Sequence, residues 1–264
     1  MPQIEPEVYC IAKTDLDRAE FDRYLKDIGE PNWKPTTTIP GELLIEAAGR
    51  MCYRSWQPYD PAKPHCSQPN VSKVREDSKV YFENVLKSRH GSILEHVNMS
   101  FICRNVSRIY SHELVRHRAG CAYSQESLRY VRLNIIDFWM PESILENKKG
   151  AKRFREVMRQ LGEIQVELAE LYDIDNIKSF DKRKELTSAF RRLAPDGLAT
   201  TILFTANIRA LRHIIAMRTD PHAEAEIRLV FDKVAEVCKN SYPFLFQDME
   251  RKEDGSWTFE YLKV

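Results

Sequence analysis

The segment VNMSFIC, at residues 97–103, decides the fold class because it carries the clearest strand pattern in the chain. Its apolar side chains recur at every second position from Val97 to Cys103, which is the period of a strand that packs one face on a core. Residues 200–206 are rich in β-formers and predict a second central strand. Because predicted helices outnumber strands without alternating regularly with them, the pattern favours an α+β fold over a doubly wound parallel sheet.

Helices are predicted around these strands from apolar periodicity and from helix start and stop signals. Residues 148–172 form the clearest one, and their apolar stripe is expected to be core or subunit contact. Residues 5–40 are expected to supply an edge strand and surface loops, and residues 56–70 an irregular loop. The other predicted helices are 42–53, 71–87, 183–193, 208–217 and a closing helix that starts at Asp220 and Pro221 with Ile227, Phe231, Val234 and Cys238 inward. One more helix is expected to be capped by Asn105 or Ser107, and Glu113, Arg116 and His117 would share one of its faces.

Length and composition favour one domain over residues 1–264 rather than two small ones, with residues 1–40 as an extension of unassigned role. The formal charge of +1 gives no overall attraction to nucleic acid or to an anionic membrane. Without a membrane-spanning apolar run or a signal-peptide pattern, a cytoplasmic location is the default expectation. The six cysteines lack any Cys-x-x-Cys pair and are predicted to be free thiols.

Two cationic clusters are the candidate functional residues. Arg116-His117-Arg118 is followed closely by Ser127 and Arg129, a density of cations and hydroxyls that suits phosphate. The second cluster is Asn207, Arg209, His213 and Arg218. Neither cluster has balancing acids nearby in sequence, so together they favour a polyanionic ligand such as a nucleotide. The alternatives are a surface salt-bridge cluster for the first segment and a structural role for His213.

Several common chemistries are disfavoured by motif spacing. His112 and His117 are five residues apart, about 140° around a helix, which argues against a zinc site. The chain has no Gly-x-Gly-x-x-Gly, P-loop or Gly-x-Ser-x-Gly sequence. A nucleotide site built mainly from cations therefore predicts that a bound cofactor supplies the reactive chemistry.

The stretch from Arg116 to Arg118, followed by YSQESLRY at residues 123–130, resembles the signature of the flavin-dependent thymidylate synthases, which reads R-H-R, seven residues, then Ser. Here eight residues separate Arg118 from Ser127, so one residue is inserted and a bulge is expected, most simply within residues 119–122. Further segments similar to this family occur in its order, at residues 49–53, 90–96, 207–213 and 217–223, so the resemblance spans about residues 42–246.

The resemblance implies a central, largely antiparallel sheet flanked by helices, and a homotetramer whose sites are shared between subunits. By matching position, the FAD contacts would be His90, Ser92, Arg116, His117, Arg118, Asn207, Arg209 and His213. The dUMP contacts would be Tyr53, Glu113, Arg116, Gln125, Glu126, Ser127, Arg129, Arg191 and Arg218. No metal, nucleic acid or membrane is implied.

The same resemblance implies a reaction. NADPH would reduce FAD, and methylenetetrahydrofolate would supply the carbon that converts dUMP to dTMP without a cysteine nucleophile. Arg218 would favour ionisation at uracil N3, and Ser127 would bind or orient the nucleotide. Two other classes remain open at this stage: a nucleic-acid-binding protein that uses Arg116, Arg118 and Arg129 on phosphates, and a flavoprotein of this fold with an altered reaction.

Overall fold

A four-stranded antiparallel sheet forms the centre of the computed structural model, which describes residues 4–264. The strand order is β1-β2-β4-β3, and every neighbouring pair is antiparallel. This arrangement confirms the predicted α+β class and the antiparallel sheet. The strands of the sheet are β1 (Glu7–Lys13), β2 (Asn98–Ser107), β3 (Cys121–Gln125) and β4 (Ala199–Asn207), and a separate hairpin joins β5 (Met249–Arg251) to β6 (Trp257–Phe259).

Helices cover the sheet and extend beyond it. The main core lies between the inward face of the sheet and the helices that cover it, with Phe101 of β2 stacked on Phe204 of β4 at 5.1 Å between ring centroids. Within residues 4–264, no helix is both long enough and apolar enough to cross a membrane. The helices are α1 (Arg18–Asp27), α2 (Pro40–Tyr53), α3 (Ser78–Lys87), α4 (Arg108–Leu114), α5 (Glu142–Leu145), α6 (Lys148–Leu171), α7 (Phe180–Phe190), α8 (Ile208–Arg218) and α9 (Ala225–Ser241), with 3-10 turns at Gly91–His96, Ile174–Asn176 and Arg191–Leu193.

Strand β2 has the predicted alternation but not the predicted end. Met99, Phe101 and Cys103 are fully buried, as the period of two requires. The strand nevertheless continues past Cys103 to Ser107, because a register shift between Cys103 and Val106 lets pairing with β4 resume. The bulge is invisible to a pattern search because it interrupts the period that the search relies on.

Helix α4 is shorter than the sequence suggested. Ser107 caps it, as one of the two predicted alternatives, by accepting a hydrogen bond from Tyr110 N–H at 3.1 Å. The helix ends at Leu114, so the prediction that Glu113, Arg116 and His117 share a helical face is wrong. The chain must leave the helix there in order to turn back into β3 at Cys121.

The starts of two predicted helices need correction, and one helix was not predicted at all. The edge strand is confirmed as β1, but α1 was not predicted, although Asp17 caps it by accepting from Glu20 N–H at 3.1 Å. Helix α3 begins after Asp77 rather than at residue 71. Helix α9 begins at Ala225 with Glu224 as its cap, because Asp220 instead closes a separate turn. The four residues predicted to face inward from α9 are fully buried, namely Ile227, Phe231, Val234 and Cys238.

Helix α6 confirms the clearest helical prediction but not a fully buried stripe. The buried positions are Ala151, Met158, Gly162 and Gln165, on a face adjacent to the predicted one. Leu171, which belongs to the predicted stripe, is 72% exposed. The stripe residues Phe154, Leu161, Ile164 and Leu168 are only half-buried in the single chain. A long amphipathic helix thus keeps apolar surface uncovered along its length.

Candidate functional site

The two predicted cationic clusters meet in one cavity of about 430 Å³. It lies where the turn at residues 116–120 faces the start of α8, just after β4 ends. Antiparallel pairing of β3 with β4 brings these distant segments together, because Cys121 at the start of β3 lies opposite Ala206. Six of the predicted FAD residues line this cavity: Arg116, His117, Arg118, Asn207, Arg209 and His213.

Asn207 fixes the cavity wall to the start of α8. Its side-chain oxygen caps the helix by accepting from Ala210 N–H at 2.8 Å, and its backbone N–H donates to Gly120 O at 3.0 Å. Gly120 has a φ of 70°, and a Cβ at this position would lie 2.4 Å from the Asn207 side-chain nitrogen. Only glycine therefore fits this turn without displacing the cap.

No bulge occurs within β3, which includes two of the four residues where one was expected. Strand β3 pairs with β4 without a register shift from Cys121 to Gln125, so an extra residue cannot be absorbed within it. The turn closes when Cys121 N–H donates to Arg118 O at 3.3 Å. The contacts made from Cys121 onward are consequently those of a regular strand.

Arg218, at the end of α8, ties this helix to α4 and to the turn that follows α4. Its Nε donates to His117 Nε2 at 2.8 Å. Its two terminal nitrogens donate to the Glu113 carboxylate at 2.8 Å and to the Glu113 backbone oxygen at 2.9 Å. The Arg218 side chain is 15% exposed, so its position is set by these three bonds rather than by solvent. Three of its five N–H groups are used, and two remain for a ligand.

His117 is neutral at physiological pH. Burial, followed by the positive charges of Arg218 and His213, lowers the pKa of His117 to about 4. Because Nε2 accepts from Arg218, the proton of the neutral ring lies on Nδ1, which is then a donor. The His213 ring lies edge-on at 6.0 Å between centroids. His117 therefore offers an uncharged hydrogen-bond donor within an otherwise cationic cavity.

Carboxylates balance both arginines of the second cluster, contrary to the sequence expectation. Glu113 pairs with Arg218 at 2.8 Å, and Glu95 pairs with Arg209 at 2.6 Å. The partners are more than 100 residues apart in each pair, so no local pattern reveals them. Glu95 lines the cavity and was missed as a site residue, although it lies within the family-like segment at residues 90–96.

Four of the nine predicted dUMP residues lie at the end of β3 or just after it, namely Gln125, Glu126, Ser127 and Arg129. Gln125 donates to Ser111 Oγ at 3.0 Å, and the Glu126 carboxylate accepts from Thr201 N–H at 2.9 Å. Ser127 Oγ accepts from Arg129 N–H at 3.4 Å. These side chains are thus held in order along one edge of the sheet.

Arg108 joins this group without having been predicted. Burial and the like charge of Arg191 lower the pKa of Arg108, while Asp196 and Glu126 act in the opposite direction. The Arg108 and Arg191 guanidinium groups are thus close enough to repel each other, and the Asp196 and Glu126 carboxylates offset part of their charge. The sequence signal for Arg108 is weak, because it is the first residue of α4 rather than part of either cluster.

Of the predicted FAD residues, His90 and Ser92 do not line the main cavity, and of the predicted dUMP residues only Arg116 is among those that line it. Tyr53 OH and His90 Nδ1 are 3.0 Å apart, and both residues line a neighbouring cavity of about 540 Å³. Ser92 is exposed on the 3-10 turn between the two cavities. All six cysteines are free, which confirms the thiol prediction. Among residues 4–264, no three His, Cys, Asp or Glu side chains are grouped as a metal site would need.

A family model described as thymidylate synthase complementing protein matches residues 36–244. The chain is 32% identical over 258 residues to the flavin-dependent thymidylate synthase of Mycobacteroides abscessus, covering 95% of this chain and 92% of that protein. It is 34% identical over 256 residues to the protein of the same name from Mycolicibacterium vanbaalenii, again covering 95% and 92%.

Two solved structures share the fold. The UMP/dUMP methylase PolB from Streptomyces cacaoi, bound with 5-Br dUMP, superposes with a TM-score of 0.60 at 17% identity, over 92% of this chain and 93% of that one. Thymidylate synthase X from Helicobacter pylori, with FAD and dUMP, superposes with a TM-score of 0.55 at 20% identity, over 92% and 98%. At these identities the likeness concerns the arrangement of helices and strands.

Proposed function

Because this chain belongs to the thymidylate synthase complementing protein family, that of the flavin-dependent thymidylate synthases, we propose that it converts dUMP to dTMP with FAD as its cofactor. The chain is accordingly an enzyme of the methyltransferase class. Methylenetetrahydrofolate would donate the carbon and NADPH the electrons. The single observation that carries the proposal is the convergence of Arg116, His117, Arg118, Asn207, Arg209 and His213 on one cavity.

The main cavity suits the cofactor proposed for it. Its volume of about 430 Å³ would hold part of a molecule as large as FAD, in keeping with a site shared between subunits. Arg116, Arg118 and Arg209 would bind the pyrophosphate, for which a planar guanidinium is well shaped. Neutral His117 and the Asn207 amide would donate uncharged hydrogen bonds to the ring system. Bound FAD would supply the redox chemistry of the methyl transfer.

The pyrimidine chemistry would fall to Arg218. Its two unused N–H groups can donate to the uracil ring, and its fixed charge can stabilise a negative charge that develops at N3. Glu113 and neutral His117 hold the guanidinium in place, so little reorganisation is needed as that charge forms. Ser127 and Arg129 would bind the nucleotide from the strand end, together with Arg191.

Nucleophilic attack by a cysteine is not part of the proposed route. Among the described residues, none of those lining the main cavity is a cysteine. Burial and the hydrogen bond to Glu30 raise the pKa of Cys66 to about 11, and burial also raises the pKa of Cys121. Both thiols therefore stay protonated near neutral pH and are poor nucleophiles.

Assembly into a homotetramer is proposed on the basis of uncovered apolar surface. Tyr9, Ile102 and Leu203 lie side by side in register on the sheet face that points away from the core. Tyr9 is 45% exposed, and Leu171 of the long helix α6 is 72% exposed. Exposed apolar residues in contiguous rows are typical of subunit contacts.

Visible absorbance of the purified protein tests the cofactor first. A flavin spectrum whose chromophore is released as FAD on denaturation supports the assignment of the main cavity. The second step is dTMP formation from dUMP, methylenetetrahydrofolate and NADPH. Bound flavin with no dTMP under these conditions would refute the synthase activity and leave a flavoprotein of this fold, whereas no flavin uptake in excess FAD would refute the cofactor site.

A further inference from the structure

The neighbouring cavity of about 540 Å³ lies on the other side of the turn that bounds the main cavity. His90 and Ile93 line this second cavity, whereas Glu95, two residues later, lines the main one. The 3-10 turn Gly91–His96 therefore forms a thin partition with a cavity on each side. A ligand in the second cavity would lie next to a ligand in the main one.

The second cavity has an unbalanced positive charge. Lys73 and Arg75 line it, and none of its lining residues is an Asp or Glu. Neither cation has an ion pair within residues 4–264, although the chain as a whole has 40 basic and 39 acidic residues. The Asn84 side chain also lines the cavity and has no hydrogen-bond partner among the described residues. These groups are arranged to receive an anion with further acceptor atoms.

The loop that bears these cations is anchored by buried residues. Arg50 is 2% exposed and donates to the backbone oxygen of Arg75 at 2.6 Å, while its own charge is paired with Glu46 at 2.6 Å. A second anchor is the bond from Tyr59 N–H to Val71 O at 2.8 Å. Because the backbone is held, the Lys73 and Arg75 side chains project from a defined position into the cavity wall.

Aromatic groups form another part of the same wall. Tyr53 and His90 are linked by the 3.0 Å hydrogen bond and meet edge to face, with 5.4 Å between ring centroids. Tyr81 also lines the cavity, with the Arg50 guanidinium 4.8 Å from its ring centroid. The cavity thus combines surfaces for an aromatic ring with cations for an acidic group. An extended ligand with a ring at one end and an anionic tail at the other matches both.

We propose that this second cavity binds the anionic tail of an aromatic cosubstrate through Lys73 and Arg75, with the ring end of that cosubstrate beside His90. The proposal rests on the proposed function, which requires two such cosubstrates besides dUMP. The shared chemistry is a carboxylate or phosphate tail on a planar ring: the folate carries glutamyl carboxylates and the dinucleotide carries phosphates.

Equilibrium binding of unreactive probes tests whether Lys73 and Arg75 bind the anionic tail. Folic acid and NADP⁺ are titrated calorimetrically into the FAD-loaded protein in the presence of dUMP, using the parent, Lys73→Ala, Arg75→Ala and the double variant. Lys87→Ala is the matched control, because this exposed lysine near the end of α3 does not line the cavity. Loss of a charge-assisted contact is expected to weaken binding of the relevant probe about tenfold for each single variant. The control should stay within about twofold of the parent.

The pattern of losses identifies the tail. Weaker folic acid binding with unchanged NADP⁺ assigns the cavity to the carboxylate tail, the reverse assigns it to the phosphates, and a loss of both makes it a general anion site. Equal binding of both probes to parent and double variant overturns the proposal, as does failure of both to bind the parent. Unchanged circular dichroism and flavin absorbance establish that the variants fold and hold FAD.

Measurements of dTMP formation distinguish a failure of the proposed function from a failure of the assignment of the second cavity. If the parent makes no dTMP, the proposed function fails whatever the probes show. If the parent makes dTMP while the double variant binds both probes normally, only the cavity assignment is wrong. Where the cavity assignment holds, the double variant should raise the KM of the same cosubstrate far more than it lowers kcat.

Discussion

Replacing Arg218 with alanine should remove most dTMP synthesis while leaving FAD bound. The variant loses the guanidinium that would face the uracil ring and breaks the bonds to Glu113 and His117. Removing one preorganised electrostatic donor from an active site costs about 100- to 1000-fold in kcat. Because Arg218 is only 15% exposed, water cannot fully replace it, so we expect a loss within that range. Single-turnover dTMP formation, measured by chromatography, gives this number directly.

The same variant has a second, independent signature at His117. The charge of Arg218 is the second cause, after burial, of the low pKa of about 4. Removing that charge should raise the pKa of His117, while the remaining burial keeps it below the ordinary value of about 6.5. Titration of the His117 ring by NMR checks the shift without depending on turnover.

Arg192→Ala provides the matched control. Arg192 is an exposed arginine in the 3-10 turn Arg191–Leu193, and it has no ion pair among residues 4–264. It should leave both dTMP formation and the His117 titration unchanged. Normal turnover in Arg218→Ala would refute the role assigned to the guanidinium, and an unchanged His117 pKa would refute its electrostatic coupling to the ring.

Three further perturbations follow from the same structure. His213→Ala should weaken FAD binding about tenfold and dUMP binding less than twofold, as measured by fluorescence titration; equal FAD affinity would contradict its place in the cavity. Gly120→Ala should lower the unfolding free energy by about 1–2 kcal/mol in urea and weaken FAD binding, because the turn has φ 70° and abuts Asn207; an unaltered midpoint would show that the turn relaxes freely. Burial raises the pKa of Glu226 to about 7, so the unfolding free energy should fall by about 3 kcal/mol as pH rises from 4.5 to 7. Glu226→Gln can still accept from Ser107 N–H and should flatten that slope; a parallel pH curve would refute the assignment.

Local patterns predicted the parts of the fold that depend on neighbours in sequence. The alternation in β2, the helical span of α6 and the inward face of α9 all occur as expected, because each depends on residues that are close in sequence. Elements that interrupt the apolar pattern were harder to predict. The bulge that extends β2 to Ser107 and the helix α1 both fall where the apolar period is weak or interrupted.

The candidate site was also predictable only in part. Residue type and order were enough to select the Arg- and His-rich segments and to predict that they bind an anion, since a guanidinium keeps its charge wherever the chain places it. Their partners were not predictable. Glu95 and Glu113 reach Arg209 and Arg218 across more than 100 residues, through the antiparallel pairing of the central strands.

The charge state of His117 shows why the folded chain was needed. Its identity and its place beside two arginines can be read from the chain, but its pKa depends on burial and on the distance to Arg218, which lies 101 residues away in sequence. The second cavity likewise exists only in the folded chain, because it forms when the anchored loop, α2 and His90 pack together. Residue chemistry is local, whereas desolvation and through-space charge depend on distances that exist only after folding.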